Sequence, residues 1–143
     1  MSANGCATVC AALPLGTAAD TGGQDSVGCR TYHANNTPPA THCPHAGAFG
    51  DEVCGNHCDT FCEIDIAACG SGAGKPFADL AACKTACAGW ARSATKVNAA
   101  QPTSGNTFDC RAWHLLKATD AAANLTLHCP HTKDVQGAND PCK

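Results

Sequence analysis

The sequence predicts a small, disulfide-rich, mainly helical fold: a stapled α-hairpin flanked by two copies of a short helix plus loop, with little or no β structure. Three observations support this prediction: a high cysteine content, cysteines at helical spacing, and few large apolar side chains. The chain of 143 residues has 13 cysteines, and aromatic residues make up 5% of it. A core this poor in large side chains needs covalent cross-links, and cysteine at this density is typical of a disulfide scaffold.

Cysteine use also predicts where the protein works. Disulfides persist in oxidising compartments, so we expect an extracellular, cell-surface or periplasmic location. A zinc–thiolate protein is the alternative, but the cysteines follow Cys-x3-Cys spacings and the sequence has no Cys-x2-Cys pair. No secretory leader is visible after Met1, which predicts that the sequence is an excised part of a longer chain.

Charge and hydropathy argue against nucleic-acid binding and against a transmembrane helix. The formal net charge is −3 and no run of basic residues occurs, so nucleic acid is not an expected partner. No segment approaches the ~20 consecutive apolar residues of a transmembrane helix, so the sequence predicts no membrane span.

The predicted hairpin lies in the middle of the chain. Cys54, Cys58 and Cys62 recur at every fourth residue, which places them on one face of a helix that ends in a glycine-rich turn at residues 70–74. Asp79 is a candidate N-cap for a second helix, whose apolar stripe includes Cys83 and Cys87.

Two antiparallel helices pair residues whose numbers have a constant sum. Cys58 with Cys87 has the same sum as Cys62 with Cys83, and the midpoint falls in the glycine turn. We therefore predict the disulfides Cys58–Cys87 and Cys62–Cys83. The alternative is two unlinked helices with buried thiols, and the remaining pairings stay open.

A pattern of cysteine, arginine, an aromatic residue and histidine occurs twice, and each copy is followed by His-Cys-Pro-His. The period is about 80 residues, which indicates a tandem repeat. We divide the chain into a first repeat, 1–82, which starts within a hairpin, and an incomplete second repeat, 83–143. Ser26, and Thr107 or Asp109, are candidate caps for the short helices. Proline after Cys43 and after Cys129 predicts extended or turn geometry at these cysteines.

Each repeat presents three histidines. Imidazoles on cross-linked backbone are suitable ligands for Zn²⁺ or Cu²⁺, so we consider copper or zinc as a possible cofactor. The alternative is that these side chains satisfy buried backbone polar groups. The candidate metal ligands are His33, His42, His45, His114, His128 and His131.

Cys6 and Cys10 correspond in the repeat to Cys83 and Cys87, but no matching first helix precedes them in the sequence. They pair differently, bond to another chain or stay reduced. An odd number of cysteines likewise leaves at least one without an intrachain partner. We therefore consider copies of the chain joined end to end, or neighbouring repeats of a longer chain, as partners.

The combined pattern resembles a cysteine-rich repeat of secreted proteins and lipoproteins from myxobacteria and their relatives. The resemblance implies an extracellular location and this architecture, and no activity. We expect a structural, adhesive or filament-forming module; a copper- or zinc-binding module is the alternative, and a metal-dependent enzyme is less favoured because no catalytic residue is recognisable. The matching residues are Cys29, Arg30, Tyr32, His33, 42–45, 54–87 and 110–131.

Overall fold

The computed structural model describes residues 2–73, 75–94, 102–134 and 137–143. The protein is small and mostly helical, with five disulfides, as the sequence predicts. Over the described ranges there is no β-strand, and the β structure consists of the isolated bridges Ser71–Phe77 and Ala91–Thr107. The α-helices of these ranges are α1 (Ala3–Ala12), α2 (Val27–Ala34), α3 (Pro39–Ala46), α4 (His57–Cys69), α5 (Leu80–Cys87), α6 (Phe108–Asp120) and α7 (Leu125–His128).

Side-chain caps set most of the helix starts. Ser26 accepts a hydrogen bond from the Cys29 amide, Asp79 accepts one from the Ala82 amide, and Thr107 is the cap of α6. These oxygens satisfy amides that have no partner within the helix.

The start of α4 differs from the sequence prediction. Asn56 caps the helix, which begins at His57, so Cys54 lies outside it and does not share a helical face with Cys58. Gly55, with φ of +96°, turns the chain just before the cap. A left-handed residue cannot continue the helix, which is why the every-fourth spacing misplaces Cys54.

The central hairpin consists of α4 and α5. Gly70, at φ of +78°, ends α4. Cys58 bonds to Cys87 and Cys62 bonds to Cys83, with Cα–Cα distances of 5.6 and 5.7 Å. These are the two pairs that the constant-sum argument predicts.

Three further disulfides cross-link other helices and loops of the chain. Cys29–Cys54 and Cys110–Cys142 are equivalent bridges, each joining the first turn of a short helix to a later loop. Cys69–Cys129 joins the end of α4 to the second His-Cys-Pro-His segment. Five disulfides indicate an oxidising compartment. No helix within the described ranges is long and apolar enough to cross a membrane.

The core centres on aromatic rings contributed by α4, α6 and the loop after α3. Phe61 and Phe108 are fully buried, and their ring centroids are 5.5 Å apart. Phe49 contacts Phe108 at the same centroid distance, and Trp90 packs on the edge of Phe61. The few large side chains are thus concentrated in one cluster, where each buried ring contributes most.

The first His-Cys-Pro-His segment is helical, which corrects the predicted extended or turn geometry at Cys43, whereas the second enters a short 3₁₀ turn at Cys129. Pro44 lies inside α3, and Cys129 with Pro130 begins a 3₁₀ turn, Cys129–His131. Proline has a φ near that of a helix, and Pro130 lies in a first turn where an amide would lack a partner. The division into repeats at residues 82 and 83 stays a prediction, and the α4–α5 hairpin spans that boundary.

Candidate metal centre

Two buried arginines hold the histidine segments against their helices by the same set of hydrogen bonds. Arg30 donates from Nη1 to the Ser26 carbonyl at 3.0 Å, from Nη2 to Asp25 at 2.8 Å, and from Nε to the Gly47 carbonyl at 3.3 Å. Because Gly47 lies two residues after the His-Cys-Pro-His segment, this arginine ties the end of that segment to α2.

Arg111 makes the equivalent contacts in the second half of the chain. It donates to the Thr107 carbonyl, to the Asn106 side chain and to the Lys133 carbonyl at 2.9, 2.8 and 2.9 Å. A guanidinium, with five donors in a rigid fork, can fix three acceptors at once. The same residue therefore builds the same local frame in both halves.

The frame brings the three histidines of the first half together. His33 on α2 and His42 on α3 face each other with their Nδ1 atoms 2.8 Å apart. The His45 ring stands at 89° to the His33 ring, with their centroids 4.8 Å apart. One ligand atom from each of the three residues lies within 4.8 Å of the other two.

The hydrogen bonds of His33 indicate which nitrogen is available to a metal ion. Its Nε2 lies 3.1 Å from the carbonyl oxygen of Thr21, an acceptor, so we assign the ring proton to Nε2. The lone pair is then on Nδ1, the atom that faces His42. A backbone carbonyl that orients the second ring nitrogen in this way is typical of histidines that bind metals.

His45 supplies a further nitrogen without a hydrogen bond. Its Nδ1 is buried and has no hydrogen-bond partner within the described residues. A buried polar atom left without a partner costs about 1–3 kcal/mol. A bound cation would relieve that cost.

The surroundings of His33 favour its neutral form. Burial lowers the pKa of His33 below its usual value, and the neighbouring His45 and His42 lower it further, while the Thr21 carbonyl acts in the opposite direction. Since a metal binds the neutral imidazole, a lowered pKa reduces the competition of protons with the metal for this ligand.

The second set of histidines is similar but less closely gathered. The Nδ1 atoms of His114 and His128 are 3.0 Å apart, and the His131 ring centroid is 4.9 Å from that of His114. The His131 Nδ1 lies 3.8 Å from a carboxylate oxygen of Asp140. In the part of the chain that the structure describes, these three histidines do not form a group of ligand atoms within 4.8 Å, unlike the first set.

Burial is the main cause of the lowered pKa values of two histidines in the second set. It lowers the pKa of His114 to about 4, with smaller contributions from His131 and His128. It also lowers the pKa of His128, to which His131 and Lys117 contribute in the same direction. His114 is therefore neutral at physiological pH.

Three other groups have ligand atoms within the same distance, but each includes two cysteines of one disulfide. They contain the bridges Cys29–Cys54, Cys58–Cys87 and Cys110–Cys142. The thiolate is the metal ligand, and a disulfide sulfur has none to offer. His33, His42 and His45 thus form the group whose ligands are all available in the oxidised protein.

Sequence reasoning identified the six histidines and the repeated arginines beside them, but it missed the backbone acceptor that orients His33. The Thr21 carbonyl gives no signal in the sequence, because a backbone acceptor carries no side-chain identity. The arginines did give one, since each lies next to a cysteine and four residues after a cap. Also missed was Asp65, a fully buried carboxyl on α4 whose pKa burial raises to about 7, with the Thr132 hydroxyl acting in the opposite direction.

Comparison with protein-family models, curated proteins and solved structures finds no match to this chain. The resemblance to a myxobacterial cysteine-rich repeat therefore stays a prediction, and the functional argument depends on the chemistry of the histidine site.

Proposed function

We propose that this protein is a metal-binding module of an oxidising, extracellular compartment, with a divalent zinc or copper ion held by His33, His42 and His45. The observation that carries the proposal is the convergence of three imidazole ligand atoms within 4.8 Å on a cross-linked frame. Three neutral nitrogen ligands with a fourth position left for water or another ligand are a known zinc and copper arrangement.

The competing explanation is that His33 and His42 simply share a hydrogen bond. Their Nδ1 atoms, 2.8 Å apart, suit one N–H···N bond, whereas two nitrogens on a tetrahedral zinc ion are about 3.3 Å apart. Opening by half an ångström is a small rotation of either ring. A shared hydrogen bond also leaves the buried Nδ1 of His45 without a partner, and a metal ion bound through that nitrogen would supply one.

The donor set favours borderline metals over hard ones. Calcium and magnesium prefer oxygen ligands, and the cluster offers nitrogen. Of the first-row ions, Cu²⁺ has the higher intrinsic affinity for nitrogen ligands, and availability decides between copper and zinc.

The test is a titration of the full chain with Zn²⁺ and, separately, Cu²⁺, followed by native mass spectrometry and calorimetry. We expect one tightly bound ion per chain, and we expect His45→Gln to weaken its binding at least about tenfold, because losing even a hydrogen-bond partner of a metal ligand costs about 10–100-fold. His57→Gln is the matched control, because it also removes one imidazole but lies outside the cluster. Disulfide mapping and the unfolding midpoint check that each variant keeps its fold.

Binding that survives His33→Gln, His42→Gln and His45→Gln, each folded, would refute the assignment. Loss of binding in His131→Gln but not in His45→Gln would mean that the second set is the site instead.

A structural or adhesive role is the second candidate, and the network of disulfides favours it. Bridges tie both ends of α4 to other parts of the chain, through Cys58 and Cys69. Such cross-linking suits a rigid, protease-resistant module presented outside the cell. If the protein resists proteolysis equally with and without metal, that result would support a structural role that does not depend on metal binding.

A further inference from the structure

The three cysteines without a disulfide, Cys6, Cys10 and Cys43, all have exposed thiols. In the repeat they correspond to Cys83, Cys87 and Cys129, because caps, arginines and histidines align in the same order in both halves. Those three counterparts are each in a disulfide.

All three counterparts bond to one helix. Cys83 bonds to Cys62, Cys87 to Cys58, and Cys129 to Cys69, and the three partners lie on α4 in a Cys-x3-Cys-x6-Cys pattern. One helix with this pattern would thus account for every free thiol of the chain.

The surface that such a helix would cover is uncovered in the first half. In the second half, α4 packs against α5 and α6, α1 also packs against α6, and Ala112 and Leu115 of α6 are fully buried. Their counterparts on α2, Thr31 and Ala34, are exposed.

A groove lies where α4 would be expected by this correspondence. It is a cavity of about 200 Å³ between α1 and α2, lined by Cys6 and Cys10 on one side and by Thr31 and Ala34 on the other. Val9 and Leu13 form its apolar floor. Two exposed thiols thus lie along the α1 side of the groove, and small side chains lie along the α2 side.

We propose that this groove is a docking surface for a helix of a partner polypeptide that carries cysteines in the Cys-x3-Cys-x6-Cys pattern. The helix lies across α1 and α2 as α4 lies across α5 and α6, and it forms three disulfides, with Cys10, Cys6 and Cys43 in the order of its own cysteines. The partner is not a second copy of this chain, because the three cysteines of α4 are already in disulfides.

The chemistry needs an oxidant, and a small-molecule disulfide such as oxidised glutathione supplies it. For each new bridge two thiols lose two hydrogens, one sulfur–sulfur bond forms, and one glutathione disulfide is reduced to two glutathione thiols. Once the first bridge has formed, the other two close within one complex, where the effective thiol concentration is in the millimolar range.

The probe is a synthetic peptide of residues 56–70, which includes the Asn56 cap, all of α4 and its three cysteines. It is incubated with the full, five-bridge chain in a buffer of reduced and oxidised glutathione. Leu13 and Val27 line the groove where Trp90 and Phe108 contact Phe61 in the second half, and these smaller residues leave space for the peptide's phenylalanine.

The matched control peptide exchanges Cys62 and Glu63, which keeps the composition but rotates the middle thiol by about 100° around the helix. We expect a triply bridged adduct with the native peptide, in the stated register by mass mapping. The yield should fall at least about tenfold with the control, because the second and third bridges no longer close in one complex. The chain variant with Cys6→Ser, Cys10→Ser and Cys43→Ser should capture neither peptide.

Equal yields with both peptides, or bridges in a mixed register, would overturn the proposal. So would a Cys6–Cys10 bridge within the chain, or disulfide-linked chain dimers in preference to peptide capture. The metal site is read out separately by ion stoichiometry, so failure of either proposal leaves the other open to its own test.

Discussion

Arg111 lies over the indole of Trp90, with its Cζ 4.4 Å from the ring centroid. The guanidinium is fully buried, and its hydrogen bonds join the start of α6 to the Lys133 carbonyl beyond the second histidine segment. The indole donates from Nε1 to Asp134, next along the same segment. A single stacked pair thus connects the α5 end of the hairpin, α6 and the loop that carries His131.

Arg111→Lys should destabilise the protein strongly. Lysine keeps a positive charge but loses the planar fork and the stacking surface, so buried acceptors at the Thr107 and Lys133 carbonyls lose their donors. We expect a loss of about 2–4 kcal/mol in the free energy of unfolding, measured by denaturant titration with disulfides intact. Arg30→Lys is the matched variant in the other half. An Arg111→Lys protein as stable as the parent would contradict the role assigned to this contact.

Asp65→Asn should change how stability depends on pH. Burial raises the pKa of Asp65 from 3.8 to about 7, so the folded state binds a proton that the unfolded state releases. Ionisation of Asp65 therefore does not destabilise the parent protein below about pH 4. As the pH rises to 7 and above, it lowers the free energy of unfolding by up to about 4 kcal/mol. The asparagine variant lacks this loss, and its unfolding free energy should exceed that of the parent at pH 8 but not at pH 4.

Thermal and denaturant unfolding from pH 4 to pH 9 measures this difference. Asp79→Asn, at an exposed helix cap, is a control for replacing a carboxylate by an amide. A parent and an Asp65→Asn variant with parallel profiles would show that Asp65 ionises normally in the fold.

His114→Gln should change how the free energy of unfolding depends on pH in acidic solution. Burial lowers the pKa of His114 from 6.5 to about 4, so the unfolded state binds a proton that the folded state rejects. Its contribution is fully present above pH 6.5 and is lost as the pH falls toward 4, by up to about 3 kcal/mol. The glutamine variant should show a shallower loss of stability between these pH values. If the dependence of the unfolding free energy on pH is unchanged in the variant, a group other than His114 titrates in this range.

Removing the Cys69–Cys129 disulfide should both destabilise the fold and loosen the second histidine set. The bridge closes a loop with a sequence separation of 60. Chain entropy alone predicts a loss of at most about 4 kcal/mol for the double variant Cys69→Ala with Cys129→Ala, and less because other bridges already shorten the loop. His128 and His131 flank the lost anchor, so their nuclear magnetic resonance signals should shift while those of His42 and His45 stay unchanged. Signals that shift equally in both sets would contradict a local effect.

Several features were predictable because local rules determine them. The α-hairpin and its two staples follow from cysteine periodicity and a glycine turn, and the caps Ser26, Asp79 and Thr107 follow from side-chain oxygens that satisfy helix amides. Local rules failed at Cys54 and at Pro44, where a capping Asn56 and tertiary contacts of α3 with α2 outweighed spacing and propensity.

By itself the sequence determined that this is a disulfide-rich helical protein, that its histidines occur as two triplets, and how the central hairpin is bridged. Only the tertiary structure decided that His33, His42 and His45 converge more closely than their counterparts, and that Cys69 bonds to Cys129 while Cys43 stays free. The reason is that periodicity reports which residues share a face of one element. The distance between side chains on different elements depends on how buried groups such as Arg30 and Arg111 position the connecting loops, and that is a property of the packed fold.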